Sequence, residues 1–248
     1  MRQLGKLTWV EIKLFTREPL TAVFSFAFPV FVLLVLGGVF GNTPDPKGKV
    51  WGGVGPMDYL VPGFFGLVMA SIGFISLPIH LANYRERGIL RRFRSSSVSP
   101  WALLVSELCV SAMIAVVGGA AILVLGMAFD GAHGPVAPAG VLFAFALGTI
   151  CFVAIGLFLG SILPNAQAAQ AVGLLLFFLS EMTSGVGPPK EVLPETMQQL
   201  ALGLPLTHVA NAMRDPWIGQ GWNVPELVVV AGIAVVAAAL AYRSFRWE

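Results

Sequence analysis

The sequence predicts an all-α membrane protein of six transmembrane helices. Three observations carry that reading: an apolar excess, its grouping into long blocks, and one dense basic segment between the second and third blocks. Hydrophobic residues make up 56% of the 248 and charged residues 11%. Soluble domains average roughly 45–50% apolar and about 25% charged. The apolar residues fall in blocks near the length of about 20 residues that crosses a hydrocarbon core of about 30 Å. The predicted spans are 20–41, 59–80, 102–128, 139–162, 168–184 and 225–242. Six spans leave room for short loops and no folded soluble domain, so residues 1–248 read as one transmembrane domain.

The segment before the first span, within 1–19, reads as an amphipathic elbow helix. Arg2, Lys6, Lys13 and Arg17 fall within about 60° of one another on a helical wheel, while Leu4, Leu7, Ile12, Leu14 and Phe15 lie largely on other faces. Such a helix suits a membrane surface and lipid headgroups, and Pro19 ends it because proline cannot continue the ladder. The first apolar run is too long for a signal-peptide core and lacks a small-residue cleavage site, so it is expected to stay as an uncleaved anchor.

The loop 42–58 is rich in Gly and Pro. The link 163–167, Leu-Pro-Asn-Ala-Gln, is short and uncharged, which predicts that spans four and five are neighbours. Between spans five and six, residues 185–224 carry Pro188, Pro189, Pro194, Pro205 and Pro216. Leu193, Met197, Leu200, Leu204 and Leu206 recur there at roughly helical spacing. This stretch is too polar and broken to span. It reads as short re-entrant helices, which are tolerated at membrane depth where protein or a wet cavity covers them. The pair Gly156 and Gly160 permits close helix approach.

Counting Lys and Arg by side sets the orientation. Arg2, Lys6, Lys13, Arg17, Arg85, Arg87, Arg91, Arg92, Arg94, Arg243 and Arg246 share one side; Lys47, Lys49, Lys190 and Arg214 take the other. Both termini and the loop 81–100 are therefore expected in the cytoplasm of a cell (inner) membrane. That loop contains Arg85, Glu86, Arg87, Gly88, Ile89, Leu90, Arg91, Arg92, Phe93 and Arg94, with five of the fifteen basic residues of the chain. It can enforce topology, bind anionic headgroups, or dock on another protein as a short helix. Ile89, Leu90 and Phe93 favour docking, because a helix seated in a groove needs apolar knobs.

Enzyme signatures are scarce. The sequence has no G-x-x-x-x-G-K-[ST] phosphate loop, no H-E-x-x-H and no C-x-x-C. No metal and no nucleic-acid partner is expected. His80, His133 and His208 read as boundary or loop residues, and Cys109 and Cys151 as packing residues. Glu107 and Glu181 lie inside predicted spans, where an ionisable group needs a partner or a wet cavity. An arginine near the end of the span is the expected partner of Glu107. Glu181 fits a boundary role or the exit of a pathway. Phe24, Phe28 and Phe31 on the first span and Phe177 and Phe178 on the fifth fit packing, or an apolar lining for a greasy substrate.

Two motif sets resemble the ABC transporter type-2 permeases, particularly the drug-exporter branch. Glu86-Arg87-Gly88-Ile89-Leu90, then Phe93 and Pro100, is similar to that family's loop after the second span. Ser184-Gly185, Pro188-Pro189, Leu193-Pro194, Pro205 and Arg214 are similar to its exit from the fifth span. Phe93 stands where leucine is more usual, and Ser97 where many members have a further proline.

The resemblance covers nearly the whole chain, and it implies a permease domain with a cytoplasmic coupling helix in the loop Arg85 to Arg94. That helix would seat in a separate cytoplasmic ABC ATPase subunit, which carries ATP and Mg while this chain binds no cofactor. It also implies pairing with a second permease subunit, identical or not, through the first and fifth spans. The cargo would be a hydrophobic or amphiphilic compound, drug or antibiotic-like, passing by alternating access. Phe24, Phe28, Phe31, Phe177, Phe178, Glu181 and Gly185 would line its path or gate. Export of a lipid-linked glycan or other cell-envelope precursor is the alternative.

Overall fold

The computed structural model describes residues 22–44, 50–89, 100–129 and 131–244. The elbow residues Arg2, Lys6, Lys13 and Arg17, and Leu90, Arg91, Arg92, Phe93 and Arg94 of the basic loop, lie outside the described residues. Among the described residues six helices are long and apolar enough to cross a membrane. We number them with two shorter helices in chain order: α1 Val23–Phe40, α2 Pro56–Glu86, α3 Pro100–Phe129, α4 Pro138–Ile162, α5 Ala166–Thr183, α6 Glu195–Ala201, α7 Pro205–Trp217 and α8 Val224–Ser244. The expected span 59–80 is thus extended at both ends. No breaker intervenes after Pro78 until Gly88, whose φ of 66° ends the helix, so Leu81–Glu86 continue α2 instead of opening the loop.

The bundle is built around α2. In its most apolar stretch 94% of the residues are buried, against 22% in α1 and 28% in α8. Helices α1, α3, α4, α5 and α7 all pack on it. Met57, Leu60, Phe64, Leu67, Met69 and Ile75 are wholly buried along its length. A helix apolar on every face is what a central position requires.

Local chemistry bends α1 and α2 in the same way. Each carries a π-helical turn, Val23–Ala27 in α1 and Ile72–Ser76 in α2, shortly before Pro29 and Pro78. A proline has no N–H for the carbonyl four residues back and clashes with it. That carbonyl belongs to Ser25 in α1 and Phe74 in α2, inside the widened turn in both helices. The widened ladder accommodates the missing bond.

Glycines let neighbouring backbones meet at the α2 turn. A Cβ on Gly73 would stand 2.4 Å from the Phe152 carbonyl of α4, and one on Gly173 of α5 would stand 2.2 Å from the Phe74 carbonyl. Gly156 packs on Leu77 and the Gly73 carbonyl, and Gly160 on Leu81 and Pro78. The small-residue pair of α4 therefore serves packing within the chain. Helices α4 and α5 are joined by a short link yet pack far more on α2 than on each other, which corrects the expectation that the link makes them neighbours.

At the end of α2 away from the basic loop, Asn42 closes the connector from α1. Its Oδ1 accepts from Met57 N at 3.0 Å and Asp58 N at 3.2 Å, and its Nδ2 donates to Gly131 O at 2.8 Å. Asp58 in turn accepts from His133 N at 2.6 Å and faces His133 Nδ1 at 2.9 Å. Two orphan N–H groups of the first helical turn are so capped from a distance in sequence.

Candidate functional site

The sequence-selected residues separate into three places. The first is an aromatic cluster between α1 and α5. Phe24, Phe28, Phe177 and Phe178 form a closed tetrad in which every pair of ring centroids lies 5.5–5.7 Å apart, mostly edge-to-face. Such arrangements match positive ring edges to negative faces. The π turn of α1 and the i, i+1 pair on α5 bring the rings together. Phe177 is wholly buried and Phe178 is 38% exposed. Phe31, 64% exposed, lies outside the tetrad.

The second place is the end of α5 away from the basic loop. Glu181, one turn beyond Phe177, is buried to 3% exposure against Gly187. Gly185 turns the chain with φ 76°, and its carbonyl accepts from Arg214 Nη2 at 3.3 Å. Arg214 is the hub of a polar cluster that sequence reasoning missed. It lies 5% exposed with its guanidinium carbon 3.8 Å from the Tyr59 ring centroid. Its Nε donates to Tyr59 O at 3.0 Å and its Nη1 to Asn211 Oδ1 at 3.1 Å. A buried guanidinium needs this density of acceptors and a π face.

Lys190 also donates to Asn211 Oδ1, at 2.7 Å, while Asn211 Nδ2 donates to Glu226 Oε1 at 2.8 Å. His208 presents Nδ1 to Glu226 Oε2 and Nε2 to Leu202 O. His208 and His80 are thus buried helix residues, not loop residues. His208, Asn211 and Arg214 recur every third residue on α7, which puts them on one face. That spacing was the available signal. Burial pulls the Lys190 ammonium down to about 8, with repulsion from Arg214 adding to it. Burial also lowers Arg214 and raises the Asp215 carboxyl, the latter opposed by the Asn223 amide and by Arg214.

The third place is the root of the basic loop. Arg85 donates to Gly160 O at 3.4 Å, Ser161 O at 3.2 Å and Leu163 O. Glu86 Oε1 accepts from Ala166 N at 2.9 Å. Two residues placed by resemblance in a docking surface are therefore engaged inside the chain, whereas Arg87 is exposed. Among the described residues Glu107 lies 3.4 Å from His80 Nε2. Cys151 is buried, but Cys109 is exposed on α3 and is not a core residue. Among the described residues no cluster of three or more His, Cys, Asp or Glu could hold a metal.

The model of the ABC-2 type transporter family matches residues 2–216, which spans all but the last helix and its approach. The chain belongs to the ABC-2 type transporter family. Its curated relatives include proteins named inner membrane transport permease YhhJ from Escherichia coli K12 and from Shigella flexneri. Each is 26% identical over 202 residues, covering 75% of this chain and 53% of the relative. The chain thus spans about half the length of these relatives. Together with the six membrane-length apolar helices among the described residues, membership makes this ABC-2 chain a multi-pass membrane protein.

Proposed function

We propose that this chain is the permease subunit of an ATP-driven exporter and carries a hydrophobic or amphiphilic compound. The observation that carries the cargo class is the aromatic tetrad. Four phenylalanine rings close on one another at 5.5–5.7 Å between α1 and α5. Their neighbours Phe31, Leu175, Leu179 and Met182 are exposed. Rings packed edge-to-face present an apolar wall and suit a greasy molecule better than a glycan, which needs polar groups converging on a wide groove. Glu181 and the Arg214 cluster lie just past the tetrad and form the far gate, leaving a charged, hydrogen-bonded layer for the cargo to pass.

Energy enters through the basic loop in this reading. The ATPase partner binds ATP and Mg and dimerises, and the seated loops of two paired permeases tilt the attached spans. Cargo moves only if its affinity differs between the two states. The basic-loop end lies in the cytoplasm of the inner membrane, and the Arg214 end faces outward.

Reconstitution with a cognate ATPase tests the proposal. The paired complex should show ATP-dependent transport of a hydrophobic dye, and Arg91→Glu with Arg92→Glu should abolish stimulation while the chain still inserts. Unchanged transport in that variant would exclude the loop as the point of coupling. A cysteine at Thr196 should react with an impermeant thiol reagent from outside the cell, and one at Ser96 should not.

A further inference from the structure

Adjacent residues of opposite charge at the end of α2 address the ends of two successive helices. Arg85 reaches three carbonyls, Gly160 O, Ser161 O and Leu163 O, where α4 stops. Those belong to the carbonyls that have no partner within the helix, at the end where the helix dipole favours a cation. Glu86 accepts from Ala166 N at 2.9 Å, the first residue of α5. There the dipole favours an anion, and the first N–H groups are likewise unpartnered. Asn165 completes the same turn by accepting from Ala168 N at 2.8 Å.

The order of the two charges matches the order of the two helix ends, cation to the end of α4 and anion to the start of α5. A docking patch would not need that order, and neither would a topology signal, which counts arginines on a side. Directly below, Gly160 lets Leu81 and Pro78 of α2 approach α4 closely, so the clip closes a contact that packing has already brought near.

We propose that Arg85 and Glu86 are positioning residues that clamp the α4–α5 link to the root of the basic loop. The proposal rests on the exporter reading above: a displacement of the loop is delivered at once to the end of α4 and the start of α5. Helix α5 carries Phe177, Phe178 and Glu181, so the push arrives on the helix that holds the tetrad. The neighbouring Arg87, which is exposed, is left to face the ATPase.

The test uses the full chain in a background with Cys109→Ser and Cys151→Ala. Nitroxides attached at Arg87→Cys and Gln167→Cys, both exposed sites, report the separation of loop root and link by pulsed EPR. One narrow distance distribution is expected in the parent and in Glu86→Gln, whose amide oxygen still accepts from Ala166 N. The charge swap Arg85→Glu with Glu86→Arg keeps composition and net charge but faces each helix end with the wrong sign. It should broaden the distribution and, in the reconstituted complex, lower substrate moved per ATP by about tenfold, as losing charged hydrogen bonds implies. Arg85→Met serves if the swap is not recovered as a monodisperse protein.

An unchanged distribution in the swap, or in Arg85→Met where that variant stands in, overturns the clamp. If the parent complex shows no ATP-dependent transport, the exporter reading fails while the EPR result still decides the clamp.

Discussion

Helices α1 and α2 share a local design and differ in everything around it. Both are apolar, and both widen into a π turn shortly before a proline. Yet 94% of the most apolar stretch of α2 is buried and only 22% of that of α1. The difference teaches that the proline sets the bend, while neighbours decide what the bend is for. In α2 the freed Phe74 carbonyl meets Gly173 of a neighbouring helix. In α1 the turn presents Phe24 and, just beyond it, Phe28 to α5, leaving Val35, Val39 and Phe31 exposed. One helix is an internal strut. The other leaves one face exposed.

The contrast can be broken most forcefully at the strut's anchor. Arg214→Ala removes a buried cation that holds the first turn of α2 through Tyr59 O and should destabilise the fold by about 1–3 kcal/mol for each buried acceptor it leaves unpaired, read as thermal unfolding in detergent. A loss under about 1 kcal/mol would mean that α2 is held by packing alone. Next comes Gly173→Ala, whose Cβ would meet a backbone carbonyl. Overpacking that cannot be relieved by a side-chain rotation should cost about 1–3 kcal/mol. The equivalent change on α1, Gly38→Ala, has nothing within 4 Å and should leave stability within about 0.5 kcal/mol. Equal effects at the two glycines would erase the comparison.

Phe178→Ala, at the half-exposed edge of the tetrad, should change transport of a hydrophobic dye more than it changes the unfolding temperature. The smallest effect concerns pH. Burial holds Lys190 at about 8 against 10.5 for an unperturbed lysine. Between those values the unfolded chain binds a proton that the folded chain has released. Stability should therefore rise modestly as pH climbs from about 8 to about 10.5, and Lys190→Met should flatten that rise.

Much of this was legible in the chain. Block length gave six spans because the bilayer fixes that length. The contact of Phe24 and Phe28 with Phe177 and Phe178 joins the first and fifth spans within one chain, a pairing that no spacing in the sequence announced. What stayed hidden depends on contacts far apart in sequence. Nothing local says that Arg214 will find Tyr59, 155 residues away, or that Arg85 will cap α4. The three-residue spacing of His208, Asn211 and Arg214 marked a polar face but not its partners. The link 163–167 was short enough to pair α4 with α5, but α2, buried over nearly all of its apolar stretch, packs on both.

The cap that Asn42 places on the start of α2 has a practical side. By bonding Met57 N, Asp58 N and Gly131 O it holds the two ends of the connector side by side, so an insertion between them starts and finishes at a fixed base. Gly52 and Gly53 sit in the connector at φ 62° and 83° with nothing within 4 Å. Because lengthening a connection whose ends are held costs little, an epitope tag or a protease site spliced between them should leave an intact protein. It would provide a handle for purification and for single-molecule tethering on the side of the membrane opposite the basic loop.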